Sequence, residues 1–446
     1  MSQRTRLLTQ IAGFCGWKIQ HTYWESLTGV RLEPTAGYVI ALEAVLVLVM
    51  VRRWAPRCGQ CFAIVPRKCH EQRPARRWLD LPWAGHRVVI EYAAIRLKCP
   101  RCGCHATELL AWADAGQRQT RRLQQHLALD ASSAPISHVA AKYGLSWRTV
   151  ARAEAAALLR WEKTRLEKPL YRVGVDEKWL GRRHKRNEKF VTIVSDLDTG
   201  EPVWIGYGRS AETLTQWLCT LSAEQKAQIV VFACDMHRPY LNAIRSDPAL
   251  DHAALSHDPF HVMKRAGEAL TELRRETFFR AGGPMRAIGR GARWLVLRPW
   301  ERLADKDKDR LRHLLRLNAR LARAYQTVEQ LREALKAPDE VALGDALWVV
   351  LRRTAKRSNI PMRKLHDSLL RHLPGILALG EHRPPVGRIE ALNGNWETLV
   401  RQGRGYRNHA YLLAKLRFLT INPVRTRRGV LRFLALGLTP PVAEAA

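Results

Sequence analysis

Residues 171–177 read Tyr-Arg-Val-Gly-Val-Asp-Glu, and residues 230–236 read Val-Val-Phe-Ala-Cys-Asp-Met. Each stretch is a short apolar, β-branched run that predicts a buried strand, and the two runs end on Asp176 and Asp235. A third acid, Glu390, opens a helix-compatible stretch. We expect the three carboxylates to converge at one edge of a sheet. Carboxylate oxygens are ligands for hard divalent cations, so the pattern predicts a site for Mg²⁺ or Mn²⁺.

Each acid taken alone has a simpler explanation, as a salt-bridged or solvated residue. The strand context favours the metal site, because a carboxylate beside a buried strand costs free energy unless it meets a cation. An arginine or lysine could supply that cation instead. Glu177 is a weaker candidate, since adjacent strand residues point to opposite faces. Asp258 and His261, in Asp258-Pro-Phe-His261, are candidate supporting residues or an ordinary structural pair.

The composition points to a polyanionic partner. The 446 residues include 74 Lys+Arg against 41 Asp+Glu, a net charge of +33, which favours nucleic acid as the partner. Together with the DNA-binding motifs described below, this charge makes double-stranded DNA the expected partner. An anionic membrane surface fits less well, because the basic residues run through the whole chain and do not flank one amphipathic helix. The 46% hydrophobic content excludes bulk disorder, and the length predicts about three domains.

The sequence predicts a cytoplasmic, nucleoid-associated protein. The longest apolar run, residues 36–51, contains Glu43 and is shorter than the roughly 20 residues of a membrane-spanning helix. The N-terminus lacks the order of charged, apolar and small residues that a secretory signal requires. The nine cysteines are therefore expected to be reduced thiols, some of them metal ligands.

Shifts in pattern divide the chain into segments. Val/Ile-rich runs come first, then Ala/Leu/Arg-rich helical spacing, and then alternating strand and helix patterns with a predicted hairpin turn at Asp198-Thr-Gly200. Leucines at three- and four-residue steps between 311 and 335 predict packed helices. The predicted segments are a zinc-binding β-rich module at 1–117, a helix-turn-helix at 118–168, an α/β core at 169–264 and 381–425, a helical insertion at 265–380 and a tail at 426–446.

Two Cys-x-x-Cys pairs, Cys58-Gly-Gln-Cys61 and Cys99-Pro-Arg-Cys102, have the spacing of zinc knuckles. Together they predict one structural Zn²⁺ held by Cys58, Cys61, Cys99 and Cys102. A redox pair is the alternative for either knuckle alone. Cys69-His70 and Cys104-His105 are close enough in sequence to replace one ligand, so the ligand set stays open.

Residues 136–154 predict two short helices around the turn Gly144-Leu-Ser146. Ser146 is placed to cap the second helix, and Val139, Leu145 and Val150 to hold the pair together. An Ala-rich helix pair is common by itself, but in so basic a chain it favours a DNA-binding helix-turn-helix. The side chains predicted to face a DNA groove are Trp147, Arg148 and Arg152.

A basic loop follows Glu390, with the sequence Arg401-Gln-Gly-Arg-Gly-Tyr-Arg407. Its arginines, Arg401, Arg404 and Arg407, are predicted to contact DNA phosphates.

Several short motifs occur in a fixed order along most of the chain. They are Cys58/Cys61 with Leu97-Lys-Cys-Pro-Arg-Cys102, the helix-turn-helix, Gly174-Val-Asp-Glu177, Cys234-Asp-Met236, Asp258-Pro-Phe-His261, Gly291-Ala-Arg-Trp-Leu-Val-Leu297, Ile389-Glu-Ala-Leu-Asn393 and Gly405-Tyr-Arg-Asn408. In this order they resemble the ISL-three family of bacterial insertion-sequence transposases.

The resemblance implies a ribonuclease-H-like catalytic core of the DDE class, interrupted by the helical insertion, with Asp176, Asp235 and Glu390 as the metal-binding triad. It implies an enzyme that binds terminal inverted repeats, cleaves DNA and transfers strands, acting as a homodimer or higher synaptic assembly. Two alternatives are a catalytically inactive DNA-binding regulator and a different ribonuclease-H-like nuclease. The intact acidic trio counts against the regulator, and the end-recognition modules count against the nuclease.

Overall fold

The computed structural model describes residue 14 and residues 16–32, 44–166, 168–180, 189–280, 286, 291–355, 359–403, 406 and 408–438. The chain divides into two compact units. Unit 1 contains residues 1–166, 402–404 and 410–446, and unit 2 contains residues 167–401 and 405–409.

The architecture is mixed α/β, as predicted. The strands are β1 (Trp17–Glu25), β2 (Arg31–Leu32), β3 (Val45–Arg52), β4 (His70–Glu71), β5 (Arg76–Trp83), β6 (His86–Tyr92), β7 (Arg96–Lys98), β8 (His105–Thr107), β9 (Arg172–Trp179), β10 (Phe190–Asp196), β11 (Pro202–Tyr207), β12 (Val231–Cys234) and β13 (Ala254–His257). The α-helices are α1 (Arg121–Ala131), α2 (Ile136–Tyr143), α3 (Trp147–Glu162), α4 (Ala211–Leu218), α5 (Ala223–Ala227), α6 (Arg238–Arg245), α7 (Pro259–Arg274), α8 (Arg293–Leu297), α9 (Asp305–Arg316), α10 (Ala319–Ala334), α11 (Glu340–Thr354), α12 (Ile360–Arg371), α13 (Leu373–His382), α14 (Gly387–Gly403), α15 (His409–Ile421) and α16 (Arg427–Ala435).

Unit 1 contains a five-stranded sheet with the order β2-β1-β3-β6-β5. Strands β3 and β6 pair in parallel, and the other neighbours pair antiparallel. Alternate residues of these strands bury one face of the sheet against Trp112, whose ring makes edge contacts with Trp17 and Trp78. Residues 45–51 of the apolar run lie in β3, a mostly buried strand, and residues 36–43 of that run lie outside the described residues.

Helices α1, α2 and α3 form the predicted helix-turn-helix with one additional helix. Gly144 ends α2 in the left-handed conformation at φ +60°, which a residue without a Cβ adopts at little cost. The Ser146 side chain accepts a hydrogen bond from the Thr149 N–H at 3.2 Å, so the predicted cap of α3 is confirmed. The predicted helix–helix contacts are also present, since the shared core includes Val139, Val150 and, at its edge, Leu145.

Helices α15 and α16 pack within unit 1. Phe418 of α15 contacts Trp161 of α3 and Phe433 of α16, and Lys415 forms a buried ion pair with Glu154 at 2.8 Å. The sequence assigned residues 381–425 to the α/β core and 426–446 to a tail. The compact units differ from that division, because the apolar side chains after residue 409 cover α1 and α3.

Unit 2 contains a second five-stranded sheet with the order β11-β10-β9-β12-β13. The first three strands pair antiparallel, whereas β12 is parallel to both β9 and β13. The predicted hairpin joins β10 to β11, and the Gly200 N–H donates to the Asp196 carbonyl at 2.7 Å. Helices α4 and α6 cover one face of this sheet with apolar side chains.

Helix α14 packs closely against the sheet in unit 2. Ile389 contacts Leu197 and Ala233 in a small buried cluster. Gly174 of β9 permits this approach, because a Cβ at that position would lie 2.7 Å from Leu197 Cδ2 and 3.2 Å from Ile389 Cδ1. The absence of a side chain at residue 174 therefore sets how near α14 lies to β9.

The helices from α7 to α13 share one apolar core in unit 2. The leucine stripe predicted to pack between helices is buried there, with Leu311, Leu314, Leu321, Val328 and Leu331 at most 3% exposed. Within the described part of the chain, no helix combines the length and the apolar character that crossing a bilayer demands.

We expect Gly174→Ala to lower the free energy of unfolding by about 1–3 kcal/mol, because the added methyl overpacks the contact between β9 and α14. Gly394→Ala is the matched control, since a Cβ there meets nothing within 4 Å and Gly394 lies inside α14. It should leave stability unchanged or raise it by up to about 1 kcal/mol. Urea unfolding followed by tryptophan fluorescence measures both, and equal destabilisation by the two variants would contradict the packing argument.

Candidate active site and DNA-binding elements

Three aspartates lie side by side on three neighbouring strands. Asp235 and Asp258 directly follow β12 and β13, whereas Asp176 lies inside β9, which continues to Trp179 beyond the strand end predicted from the sequence. Cys234 of β12 pairs in register with Val175 of β9 and with His257 of β13. The next residue of each strand is therefore an aspartate at the same level of the sheet, namely Asp176, Asp235 and Asp258. The sequence predicted the convergence of Asp176 and Asp235, and the register of β13 adds Asp258 to the row.

Asp176 is partly buried and has partners on two sides. Its Oδ2 accepts a hydrogen bond from Asn393 Nδ2 at 2.9 Å and lies 3.1 Å from Lys178 Nζ. Its Oδ1 accepts the N–H of Glu177 at 2.8 Å. The contact with Asn393 links β9 directly to α14. The alternative that a lysine or arginine supplies the cation beside one of the acids therefore applies to Asp176, which pairs with Lys178.

Asp235 contacts an imidazole. Its Oδ2 lies 3.2 Å from His261 Nδ1, and its Oδ1 accepts the N–H of Met236 at 2.6 Å. His261 is in the first turn of α7, where it follows Asp258. The two residues proposed as supporting ones are therefore adjacent to the acidic row.

Glu390 is exposed in the first turn of α14. The preceding residues hold this turn in place, since Ile389 is buried and Arg388 Nη1 donates to the Leu197 carbonyl at 2.9 Å. Asn393 lies three residues further along α14, on the same face as Glu390. The hydrogen bond from Asn393 to Asp176 therefore directs this face towards the acidic row.

Asp258 is the most buried carboxylate of the row, at 6% exposure. It caps α7 by accepting the N–H of Phe260 at 2.8 Å. Burial raises the pKa of the Asp258 carboxyl above its usual range, and the negative charges of Asp176 and Glu390 raise it further. His261 and the Phe260 N–H act in the opposite direction and lower the pKa of Asp258.

The carboxylate oxygens of the acidic row are further apart than the sulfur atoms of four cysteines in unit 1. Among the described residues, only Cys58, Cys61, Cys99 and Cys102 form a group whose ligand atoms all lie within 4.8 Å of one another. Carboxylates repel one another, and Lys178 and His261 offset part of that charge. Glu177, the weaker candidate, faces Arg209 at 3.4 Å and His237 at 3.9 Å.

Sequence reasoning missed Asn393 and Lys178 as site residues. The signal for Asn393 was present, because a residue three positions after Glu390 in a helix shares its face. Lys178 lies two residues after Asp176 in a strand and therefore also shares its face.

The two Cys-x-x-Cys knuckles repeat one backbone pattern. The Cys58 N–H donates to the Ala63 carbonyl at 2.8 Å, and the Cys99 N–H donates to the Cys104 carbonyl at 2.9 Å. Each first cysteine also accepts at its carbonyl, from the N–H of Phe62 at 3.2 Å in one knuckle and of Gly103 at 3.0 Å in the other. This repeated turn directs the thiols of both knuckles towards one point, where they could hold one metal ion.

Cys104 remains an alternative ligand. Its Sγ lies 3.2 Å from Cys58 Sγ, whereas Cys102 Sγ lies 3.7 Å away from the same atom. His70 Nε2 instead contacts the Val65 carbonyl at 2.9 Å, and His105 Nε2 lies 3.4 Å from Glu71. The two histidines thus already have other partners.

Helix α3 exposes the side chains predicted to face DNA. Trp147 is 54% exposed, and Arg148 and Arg152 are exposed on the same helix. Arg401 was predicted to lie in a basic loop, but it lies in the last turn of α14, where it is exposed and pairs with Glu397 at 2.9 Å. Arg404 and Arg407 lie outside the described residues.

Two segments of the chain match known protein families. Residues 173–416 match a family described as a transposase, and residues 108–156 match the helix-turn-helix domain of transposase family ISL3. The transposase for insertion sequence element IS1001 of Bordetella parapertussis is 28% identical over 420 residues, covering 92% of this chain and 97% of that protein. The transposase for IS1557 of Mycobacterium tuberculosis (strain CDC 1551 / Oshkosh) is 29% identical over 401 residues, covering 82% and 85%.

These matches confirm the resemblance drawn from the motifs, and they indicate a DNA-binding protein. The chain belongs to the ISL3 family of insertion-sequence transposases.

Proposed function

We propose that unit 2 is a DDE-type catalytic core with a ribonuclease-H-like fold, which cleaves DNA at the element ends and joins the cut ends to target DNA. The observation that carries the proposal is the register of β9 and β12, which sets Asp176 beside Asp235. The hydrogen bond from Asn393 to Asp176 supports it, since this contact brings the Glu390 face of α14 to the same edge.

The three carboxylates are suitable ligands for a divalent cation that prefers oxygen atoms. Asp176, Asp235 and Glu390 would hold Mg²⁺ or Mn²⁺ through carboxylate oxygens. When bound, such an ion supplies activation of the attacking oxygen and stabilisation of the leaving oxygen in phosphoryl transfer. The placement of the donors supports this fit, because Asp176 and Asp235 lie at one level of the sheet and Asn393 directs the Glu390 face of α14 towards them.

The neighbouring residues have positioning roles in this proposal. His261 holds Asp235, and Asn393 with Lys178 holds Asp176, so that each carboxylate keeps one orientation. Lys178 is also a candidate to contact a DNA phosphate when Asp176 is engaged elsewhere. Asp258 fixes the start of α7 and thereby the position of His261.

Unit 1 would recognise the terminal inverted repeats. Trp147, Arg148 and Arg152 of α3 are exposed at the start of the second helix of a helix-turn-helix, the part that contacts base edges. Arg401, Arg404 and Arg407 would contact backbone phosphates. The four thiols would hold a structural Zn²⁺, and a homodimer or larger synaptic assembly would hold two ends together.

Asp235→Asn should lower Mg²⁺-dependent cleavage of end-containing DNA by about a hundredfold or more, with DNA binding retained, because a neutral amide is a poor ligand for a hard cation. His261→Ala should cost about 10- to 100-fold, as expected for a residue that orients a ligand. Glu177→Gln is the matched control and should cleave normally. The measurement is single-turnover cleavage of a labelled duplex, with EDTA as the blank. Full activity of Asp235→Asn would refute the assignment.

The thiol assignment is tested by metal content. We expect one Zn²⁺ per chain, lost in Cys58→Ser and retained in Cys219→Ser, whose exposed thiol lies in unit 2. Comparing the zinc content of Cys102→Ser with that of Cys104→Ser identifies the fourth ligand, because only the loss of a true ligand releases the ion. Zinc released by unfolding in the presence of a chromogenic chelator gives the stoichiometry. Retention of zinc by Cys58→Ser would contradict the proposed site.

The recognition role of α3 is tested by Arg148→Ala. Loss of a base contact should weaken binding to end DNA by about 1–3 kcal/mol and leave binding to random DNA nearly unchanged. Lys336→Ala is the control, an exposed cation in the turn after α10 of unit 2. Competition binding with both DNAs measures the specificity ratio, and an unchanged ratio in Arg148→Ala would remove α3 from end recognition.

A further inference from the structure

The hairpin formed by β5 and β6 ends in an exposed tip. Its two-residue turn is Ala84-Gly85, with φ of +48° and +84°. Pro82, Trp83, Ala84 and Gly85 are all exposed, and Trp83 retains 49% of its accessible surface. About half of the Trp83 surface is therefore accessible to a ligand, and what distinguishes this tryptophan is the place of the hairpin in unit 1.

The hairpin is attached directly to the helix-turn-helix. Leu79 and Leu81 of β5 pack against the core shared by α1, α2 and α3. On the other strand, Arg87 Nη2 donates to the Gly144 carbonyl at 2.9 Å. Gly144 lies in the turn before α3, so the hairpin tip lies beside the start of the helix that is placed to read DNA.

A buried ion pair fixes the same strand to α1. Asp80 is 1% exposed and accepts from Thr120 Oγ1 at 2.7 Å and from Arg122 Nε at 2.7 Å. The Thr120 N–H in turn donates to the Leu79 carbonyl at 2.9 Å. The hairpin and the helix-turn-helix therefore form one rigid piece, and presenting Trp83 to a ligand requires little ordering of the chain.

The chemistry of the tip suits a polyanion with apolar surfaces. Residues 82–87 read Pro-Trp-Ala-Gly-His-Arg and contain no acid. Backbone N–H groups in such a turn can donate to phosphates, and an indole ring can pack on a sugar or against a base edge. A protein element beside a helix in the major groove meets the flanking backbone or the adjoining minor groove.

We propose that the β5–β6 hairpin is a second DNA-contacting element, in which Trp83 and the Ala84-Gly85 turn bind the duplex next to the segment occupied by α3. The proposal rests on DNA binding by the helix-turn-helix and extends its footprint to one side. It does not depend on the assignment of the acidic row.

The test compares Trp83→Ala with Trp54→Ala in the full-length chain. Trp54 is the matched control, a 62% exposed tryptophan of the same unit. Trp83→Ala should bind a duplex carrying the element end about tenfold more weakly, the effect of losing roughly 1.4 kcal/mol. Trp83→Glu should bind more weakly still because of phosphate repulsion, and Trp54→Ala should bind as the wild type. Circular dichroism and zinc content confirm that each variant is folded.

Hydroxyl-radical footprinting distinguishes the hairpin from α3. In Trp83→Ala we expect loss of protection over a few base pairs on one flank, with the α3 segment still protected, whereas Arg148→Ala should lose the α3 segment. Wild-type affinity and an unchanged flank in both Trp83→Ala and Trp83→Glu would overturn the proposal. So would a change in oligomeric state without a change in the footprint, which would make Trp83 a contact between chains.

Discussion

Parallel pairing of β9 with β12 is the constraint on which the acidic edge of unit 2 depends. Hydrogen bonds between the two strands fix Cys234 opposite Val175, and a slip of one residue would move one aspartate to the other face of the sheet. The apolar residues that precede each acid hold this register, because they fill the core against α4 and α6. Burial on one face of the sheet therefore determines where charge accumulates on the other.

Helix α14 completes the edge because the sheet face beneath it carries small residues. Gly174 and Ala233 are register partners, and Ile389 reaches both strands at that point. The helical segment from α7 to α13 separates β13 from α14 in sequence and has its own core. The segment also carries part of the acidic edge, because Asp258 caps α7 and His261 of α7 contacts Asp235. The position of Glu390 depends instead on the docking of α14 on the small residues Gly174 and Ala233.

Strand β5 joins two cores of unit 1. It contributes Trp78 to the aromatic core of the sheet and Leu79, on its opposite face, to the core of the helix-turn-helix. Asp80, between Leu79 and Leu81, anchors α1. Because β5 is packed on both faces, a distortion of the sheet would also displace the helices packed on it. A rigid sheet core therefore helps to fix the position of α3.

Features that depend on residues close in sequence could be predicted from the sequence, whereas features that depend on distant segments could not. The apolar strand residues before Asp176 and Asp235, the Ser146 cap and the Cys-x-x-Cys turns depend on neighbours a few residues away, and local patterns were enough for them. The continuation of β9 to Trp179 depends on its pairing with β10 and was not predicted. The alignment of Asp258 needed the register of β13, and the packing of α15 and α16 on α1 and α3 needed contacts between distant segments. The hydrogen bond from Arg87 to the Gly144 carbonyl is of the same kind, since no local pattern specifies it. The relative positions of the candidate site residues are therefore set by strand register and by contacts between distant segments. The type of chemistry that each residue can perform could be predicted from its neighbours in the sequence.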